Sequence, residues 1–318
     1  MTDQSDKSVN ESSRDKVIAD RYRIVAILGE GSMSTVYEVD DMQCGQRLAL
    51  KTTRAGSDAT LKKVKRLQRE ADATRMLDHP NIVRTYDSGI AGDGTPYLVM
   101  DKLRGRSLAD LSHEEPHLPL SRCLSLIGQV CDALTHAHDL GVIHRDLKPS
   151  NIMIVHDGDD ELAMVLDFGF AKFLPVHKGQ PVLTKSGEVL GTLFYMSPEQ
   201  SRGKQLDVRA DIYSLGCVFY ELLTGIPPYT GGTVAEIIDK QMNEKPLPIC
   251  RFRADLQASS RLDQLVGKAL SPNPAERFQT MDEFKKALNA CSGSASGLMD
   301  KLSAVIRRKK SNSSPSAS

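Results

Sequence analysis

The stretch VIHRDLKPSNIMI, from Val142 to Ile154, carries the strongest signal in this 318-residue chain. Its two ends are apolar and are typical of buried strand or core. Burying charge without a partner is costly, so a loop between apolar segments needs a reason to carry several charges. The loop here contains an acid, cations and an amide on one turn, namely His144, Arg145, Asp146, Lys148 and Asn151. This pattern indicates a reaction site.

The composition excludes several classes of protein. Hydrophobic residues make up 40% and charged residues 26%, which is typical of a globular protein. Lys plus Arg and Asp plus Glu both number 41, so no overall basic field indicates a nucleic-acid partner. The six cysteines form no CxxC pair, which argues against a zinc site or a disulfide framework and favours a reducing, cytoplasmic location.

The two ends of the chain differ from its middle. Residues 1–19 and 292–318 are rich in Ser, Asp, Lys and Arg, and we expect both to be mostly disordered. The N-terminus lacks the apolar stretch of a secretory signal. No window approaches the roughly 18 apolar residues that a membrane-spanning helix needs.

The pattern between these tails predicts an α+β fold with two lobes. Residues 20–102 show β-branched and apolar strand runs with one main helix, LKKVKRLQREADATRMLDH, which predicts a small antiparallel sheet lobe. Residues 103–291 show mainly helical periodicity, including DIYSLGCVFYELLTG, which is apolar on nearly all sides and predicts a buried helix. A cleft between two lobes is a common place for a ligand.

Three features of the first lobe suggest phosphate binding. The loop GEGSMS, Gly29–Ser34, has two glycines, although a plain tight hairpin is an alternative explanation. A strand follows the loop instead of a helix, which argues against the dinucleotide-binding fold and favours a flap that can cover a nucleotide. Lys51 ends the strand LALK, and Glu70 lies nineteen positions later on the predicted helix. If that helix packs on the sheet, Glu70 can orient the Lys51 ammonium toward phosphates.

The second lobe supplies the groups for chemistry. DFG at Asp167–Gly169 follows the apolar run MVL, so a carboxylate emerges from a buried edge. Asp167 and Asn151 carry the oxygen ligands that Mg²⁺ prefers. Asp146 remains available to orient a hydroxyl and take its proton, while Lys148 can stabilise a transferring phosphoryl group. Such a transfer depends on positioning and electrostatic stabilisation.

Taken together, GEGSMS, LALK, HRDLKPSN and DFG occur in the order found in eukaryotic-type (Hanks-type) protein serine/threonine kinases. The chain resembles this family over residues 20–291, and the style of GTLFYMSPEQ resembles its bacterial members. The resemblance implies the bilobal protein-kinase fold, with an N-lobe over about 20–102 and a C-lobe over about 103–291. It implies ATP and Mg²⁺, with Mn²⁺ as an alternative, and protein substrates with Ser or Thr acceptors.

The resemblance also assigns catalytic roles. It makes Asp146 the catalytic base, Lys148 the lysine that contacts the phosphate, and Asn151 and Asp167 the metal ligands. Lys51 and Glu70 match the ion pair of the active state. Thr192 matches the threonine that touches the catalytic aspartate and lysine, and this favours Ser or Thr over Tyr as the acceptor.

Further positions match nucleotide-binding and structural residues. Those expected to surround ATP are Leu28, Gly29, Glu30, Gly31, Ser32, Met33, Ser34, Thr35, Val36, Ala49, Lys51, Met100, Asp101, Leu103 and Met153. Glu199 is expected to pair with Arg277, and Asp211 to brace the catalytic loop. Ser34 and Ser197 depart from the family's Gly and Ala, but neither position performs chemistry, so activity is expected to survive.

Arg145 suggests a switch, because an arginine beside a catalytic acid needs an anion. Phosphate on Thr184, Ser186 or both can order a loop against Arg145, with Lys172 as a second cation. The alternative is an unmodified polar loop. A homodimer for phosphorylation in trans is a further expectation.

Competing functions remain open. A pseudokinase is disfavoured by the intact catalytic residues, and a small-molecule kinase is disfavoured by the Ser-Pro-Glu segment and by Gly191-Thr192. The basic segment GLMDKLSAVIRRKK can form an amphipathic helix that touches anionic lipid or a partner, but a frayed tail without membrane contact is favoured.

Overall fold

The computed structural model describes residues 16–31, 34–53, 75–116, 118–158, 160–168, 191–256 and 260–291. They form a lobe of antiparallel strands followed by a mainly helical lobe, which confirms the predicted α+β class. The main helix predicted for the first lobe falls almost entirely in 54–74 and so lies outside the described residues. Among the helices that are described, none is both long and apolar enough to cross a membrane.

The first lobe is a six-stranded antiparallel sheet. Its strands are β1 (Val17–Ile18), β2 (Tyr22–Glu30), β3 (Ser34–Asp41), β4 (Arg47–Thr53), β5 (Thr85–Ile90) and β6 (Pro96–Asp101). They lie in the order β1-β2-β3-β4-β6-β5.

The two faces of this sheet belong to different hydrophobic clusters. Tyr22, Val39 and Leu50 belong to a hydrophobic cluster on one face. Ala49 and Met100 belong to a separate cluster on the other face, which looks toward the second lobe. Because successive side chains of a strand point to opposite faces, neighbours such as Ala49 and Leu50 divide between the two clusters.

The second lobe begins with a three-stranded antiparallel sheet, β7 (Gly105–Ser107), β8 (Ile152–Asp157) and β9 (Asp160–Val165). Its helices are α1 (Leu108–Glu114), α2 (Leu120–Asp139), α3 (Pro198–Ser201), α4 (Arg209–Thr224), α5 (Val234–Asn243), α6 (Ser260–Ala269) and α7 (281–291). Helix α4 is buried along almost its whole length, as its all-round apolar sequence predicts. Its C-terminal cap is Gly225, whose φ of +79° is the left-handed conformation that glycine adopts easily.

The two ends of VIHRDLKPSNIMI, expected to be strand or core, differ. The second end forms β8, whereas at the first end Val142 is not in a strand and packs against the core of the second lobe. The amide of Val142 donates to the carbonyl of Ala137 at the end of α2 (2.8 Å). The amides of His144 and Arg145 donate to the Asp211 carboxylate instead of to a neighbouring strand.

In the described residues, two backbone segments connect the lobes. Strand β6 ends at Asp101 and β7 begins at Gly105, so the direct connection is short. A second junction brings the segment before β5 onto β9, where Val83 donates to the Val165 carbonyl (3.0 Å) and Val165 donates to Asn81 (2.8 Å). The side chain of Asn81 also donates to the carbonyl of Ala163 (3.0 Å). These contacts fix the edge of the cleft between the lobes.

Candidate active site

A buried carboxylate holds the catalytic loop from below. Asp211, at the start of α4, accepts hydrogen bonds from the amides of His144 (2.8 Å) and Arg145 (2.9 Å). His138 Nε2 lies 2.8 Å from the same carboxylate. Burial alone would raise the pKa of Asp211, but the hydrogen bond with His138 and the nearby charges keep that pKa below its usual value. The carboxylate therefore fixes Arg145, whose φ of +71° is uncommon for a residue with a side chain.

His144 links the loop to the DFG segment. Its Nδ1 accepts from the Asp146 amide (3.2 Å), so its Nε2 carries the proton that it donates to the Leu166 carbonyl (2.7 Å). The ring also packs on Phe168 with 4.7 Å between centroids. The sequence shows His144 in the motif but gives it no role, whereas in the structure it bridges two segments of the site.

Asp146 lies at the centre of the polar cluster. Lys148 Nζ is 3.1 Å from Asp146 Oδ2 and donates to Thr192 Oγ1 at 3.2 Å. Asn151 Nδ2 donates to the Asp146 carbonyl (2.7 Å) and to its Oδ2 (3.2 Å). Both side chains thus converge on one carboxylate oxygen. Among the described residues, none donates to the other oxygen, Oδ1, which leaves it available to a substrate hydroxyl.

Asp167 joins the two lobes and presents a ligand atom. Lys51 Nζ, from β4, lies 2.5 Å from Asp167 Oδ2. The other oxygen, Oδ1, is buried and has no hydrogen-bond partner in the part of the chain that the structure describes. Asn151 uses its Nδ2 on Asp146, so its amide oxygen is the atom left for a ligand. A carboxylate oxygen and an amide oxygen are suitable ligands for Mg²⁺, and these residues therefore fit a divalent cation.

The predicted adenine pocket forms a small apolar cluster between the lobes. Ala49 and Met100 are buried, with Val36 and Leu103 packed against them. The hinge residue Asp101 accepts a hydrogen bond from Tyr86 (2.8 Å). The remaining apolar candidates are more open, since Leu28 is 45% exposed and Met153 is half-buried.

The glycine loop closes the hairpin of β2 and β3. The amide of Gly31 donates to the Ser34 carbonyl (2.8 Å). A Cβ added to Gly29 would meet no described atom within 4 Å, so the fold itself does not require glycine there. This openness suits a backbone that must approach a ligand closely. By contrast, Glu30 and Thr35 line a separate cavity, so we expect only their backbone to approach a nucleotide.

A buried ion pair anchors the segment that follows. Arg277 donates to both carboxylate oxygens of Glu199 at 2.8 Å, and its side chain is fully buried. Burial alone would raise the pKa of Glu199, but the Arg277 guanidinium lowers it below its usual value. Arg277 also donates to the carbonyls of Ser271 (2.7 Å) and Arg209 (3.0 Å).

Several residues that the sequence analysis missed hold residues 191–200 in place. Gln241 donates to the Leu193 carbonyl (3.0 Å), and Ser214 donates to that of Tyr195 (2.8 Å). The Tyr195 hydroxyl donates to Glu221 on α4 (2.5 Å). No local pattern signals these contacts, because each joins positions that are far apart in the sequence.

Some predicted residues cannot be placed. Ser32, Met33, Glu70, Lys172, Thr184 and Ser186 lie outside the described residues. In the described ranges, no group of three or more His, Cys, Asp or Glu side chains is arranged to hold a metal.

Comparison with known proteins matches residues 22–289 to the family described as Protein kinase domain. The chain is 39% identical over 276 residues to serine/threonine-protein kinase pkn3 of Myxococcus xanthus, covering 86% of this chain and 50% of the relative. It is 39% identical over 274 residues to serine/threonine-protein kinase PknB of Mycobacterium tuberculosis, covering 85% and 43%. The chain thus spans about half the length of the curated relatives it matches. The crystal structure of the Mycobacterium tuberculosis PknI kinase domain matches with a TM-score of 0.69 and 28% identity, covering 87% of this chain and 98% of that one.

Proposed function

Since the chain belongs to the protein kinase domain family, we propose that it is a protein serine/threonine kinase that transfers the γ-phosphoryl group of ATP. The acceptors are Ser and Thr hydroxyls of other proteins. The observation that carries this proposal is the convergence of Asp146, Lys148 and Thr192, with Asn151 and Asp167 beside them. The names of the relatives, which are serine/threonine-protein kinases, support the same activity.

Asp146 serves as the base. Its Oδ1 orients the acceptor hydroxyl and takes its proton as the oxygen attacks the γ-phosphorus. The new oxygen–phosphorus bond forms while the bond to the β-phosphate oxygen breaks, and ADP leaves. Lys148, which lies between Asp146 and Thr192, donates to the phosphoryl oxygens as their charge shifts.

Asp167 Oδ1 and the Asn151 amide oxygen would hold the cation, Mg²⁺ with Mn²⁺ as an alternative. When bound, the metal neutralises charge on the phosphates of ATP. Lys51 reaches from the N-lobe to Asp167 and so places its ammonium where it orients the same phosphates.

The contact between Lys148 and Thr192 favours Ser and Thr over Tyr as acceptors, because it fixes the floor of the acceptor site close to Asp146. The segment 191–199 is tied down by Gln241, Ser214 and Arg277, which suits a rigid docking platform for a peptide. That platform also argues against a small-molecule kinase. The polar groups that the structure brings together, Asp146, Lys148, Asn151 and Asp167, argue against a pseudokinase.

The test is transfer from γ-labelled ATP to generic protein substrates, followed by phosphoamino-acid analysis. We expect label on phosphoserine and phosphothreonine and none on phosphotyrosine. Label confined to phosphotyrosine, or ATP hydrolysis with no labelled protein, contradicts the proposal. The expected setting is the cytoplasm, which supplies ATP and suits six free thiols.

We further propose that autophosphorylation at Thr184, Ser186 or both activates the enzyme, in trans between two copies. Arg145 supports this because its backbone is fixed by Asp211 and by Gln200, which donates to its carbonyl (2.6 Å), directly beside the catalytic base. A phosphate contacting Arg145 and Lys172 can thus influence Asp146. After incubation with MgATP, mass spectrometry should find phosphate within 170–192, and phosphate found only elsewhere rejects this switch.

A further inference from the structure

The peptide unit that carries the catalytic base is held from both sides. This unit joins Arg145 to Asp146. Its N–H group, which belongs to Asp146, donates to Nδ1 of His144 (3.2 Å). Its carbonyl, which belongs to Arg145, accepts from Nε2 of Gln200 (2.6 Å). Because a peptide unit is planar, its orientation sets the direction in which the next side chain leaves the backbone. The two hydrogen bonds therefore help to aim the Asp146 carboxylate.

The backbone at this point needs support from its surroundings. Arg145 has a φ of +71°, in the left-handed region that residues other than glycine rarely adopt. Such a conformation persists only where surrounding contacts hold it. Asp211 accepts from the Arg145 amide on one side (2.9 Å), and Gln200 donates to the Arg145 carbonyl on the other. Gln200 thus braces the side of the strained residue that leads to Asp146.

Gln200 itself lies on a fixed support. It belongs to α3 and directly follows Glu199, whose carboxylate is paired with the buried Arg277 guanidinium. Within α3, the amide of Ser201 donates to the Ser197 carbonyl (3.0 Å). These contacts hold α3 without the side chain of Gln200. The position of Gln200 is therefore set by the core of the second lobe, and its amide transmits that position to the catalytic loop.

The amide group of Gln200 is kept at an energetic cost. Its Nε2 donates to the Arg145 carbonyl, but its Oε1 is buried and has no hydrogen-bond partner within the described ranges. A buried acceptor that is left unpaired opposes folding. An apolar side chain of similar length would avoid this cost. The amide is thus explained by the hydrogen bond that it donates to the catalytic loop, and not by a gain in the stability of α3.

We propose that Gln200 is a positioning residue for the catalytic base, and that it ties the segment that binds the acceptor to the loop that carries Asp146. Gln200 and Arg145 are 55 positions apart, and their hydrogen bond joins residues 191–200 directly to the catalytic loop. A displacement of α3 withdraws this donor, so the base is aimed correctly only when the acceptor segment is seated. The inference rests on the proposed function, because it gives Gln200 a part in that reaction.

Gln200→Met tests the role, because it removes the donor and keeps the length of the side chain. We expect the single-turnover rate at saturating MgATP and saturating protein substrate to fall by about 10- to 100-fold, since a small displacement of a catalytic group costs up to about 10²-fold. The dissociation constant for MgATP should change much less. The matched control is Gln279→Met, because the exposed Gln279 also donates from Nε2 to a carbonyl, that of Arg277 (2.8 Å), and its rate should equal that of wild type. A wild-type rate in Gln200→Met overturns the proposal, even if the free energy of unfolding is lowered.

Gln200→Glu provides a pH signature that a purely structural role does not produce. An ionised carboxylate at this position cannot donate to the Arg145 carbonyl, whereas a protonated carboxyl can. Burial beside a carbonyl oxygen favours the protonated form. The ratio of the variant's single-turnover rate to the wild-type rate should therefore rise as the pH is lowered from about 8 to about 6. A ratio that does not change with pH counts against the role of the donor.

Hydrogen exchange supplies a measure that does not need kinase activity. In Gln200→Met the amides of residues 144–146 should exchange about 2- to 10-fold faster than in wild type, because the loop has lost one of its hydrogen bonds. Gln279→Met should leave their exchange unchanged. Equal exchange in Gln200→Met and wild type refutes the positioning role. A wild type that transfers no phosphate, with faster exchange in Gln200→Met, contradicts the proposed function alone.

Discussion

Removing the Arg277 guanidinium should destabilise the protein far more than removing an exposed one. Arg277→Met leaves Glu199 largely buried without its partner and withdraws donors from the Ser271 and Arg209 carbonyls. Breaking a buried ion pair on one side costs about 3–5 kcal/mol. At about 2–4 °C for each kcal/mol in a domain of this size, the melting temperature should fall by roughly 6–20 °C.

The measurement is urea denaturation of wild type and variant, compared by the midpoint and by the extrapolated free energy of unfolding. Arg106→Gln is the control, because Arg106 makes two ion pairs of similar length with exposed carboxylates of Glu114 and Glu115 (2.7 and 2.8 Å). Exposed pairs contribute only about 0–1 kcal/mol. The double variant with Glu199→Leu and Arg277→Met should recover part of the loss, because it removes the uncompensated charge. Equal losses in Arg277→Met and Arg106→Gln would refute this reasoning.

Three further predictions concern packing, pH and the metal. Gly105→Ala should strongly lower the free energy of unfolding in urea denaturation, because the added Cβ would lie 2.2 Å from the Ile154 carbonyl oxygen. In the control Gly267→Ala, in α6, the added Cβ meets nothing within 4 Å, and the free energy of unfolding should rise by about 0.5–1 kcal/mol. A similar loss in both variants contradicts this prediction. Burial raises the pKa of Glu221, so its contribution to stability is present below about pH 4.5 and is lost as the pH rises through the raised pKa. The free energy of unfolding of wild type relative to Glu221→Gln should therefore decrease from pH 4 to pH 8, and a constant difference rejects the assignment. Asp167→Asn should remove most of the Mg²⁺ dependence of ATP binding in calorimetry, and an unchanged dependence would exclude Asp167 as a ligand.

Much of the fold follows from local pattern. The hairpin of β2 and β3 was readable from β-branched runs on either side of the glycine loop, and α4 from its apolar composition. The apolar pair Val142 and Ile143 was compatible with a strand, but composition does not reveal whether a strand partner is available. In the structure the nearby amides bond to α2 and to Asp211 instead.

The site was predictable where its residues share one short motif. Asp146, Lys148 and Asn151 fall within six residues, and the loop geometry brings them together. Contacts across the sequence were not predictable in this way. The hydrogen bond from Tyr195 to Glu221 joins positions 26 residues apart and depends on how the segment packs on α4.

The most direct test of the central claim is the single-turnover rate of phosphoryl transfer at saturating MgATP in wild type and Asp146→Asn. A positioned general base contributes about 10²–10⁴-fold to a proton-transfer step. We predict a loss in that range with a much smaller change in the dissociation constant for MgATP, because Asn151 keeps its hydrogen bond to the backbone carbonyl of residue 146. A variant that transfers phosphate at the wild-type rate would contradict the assignment of Asp146 as the base.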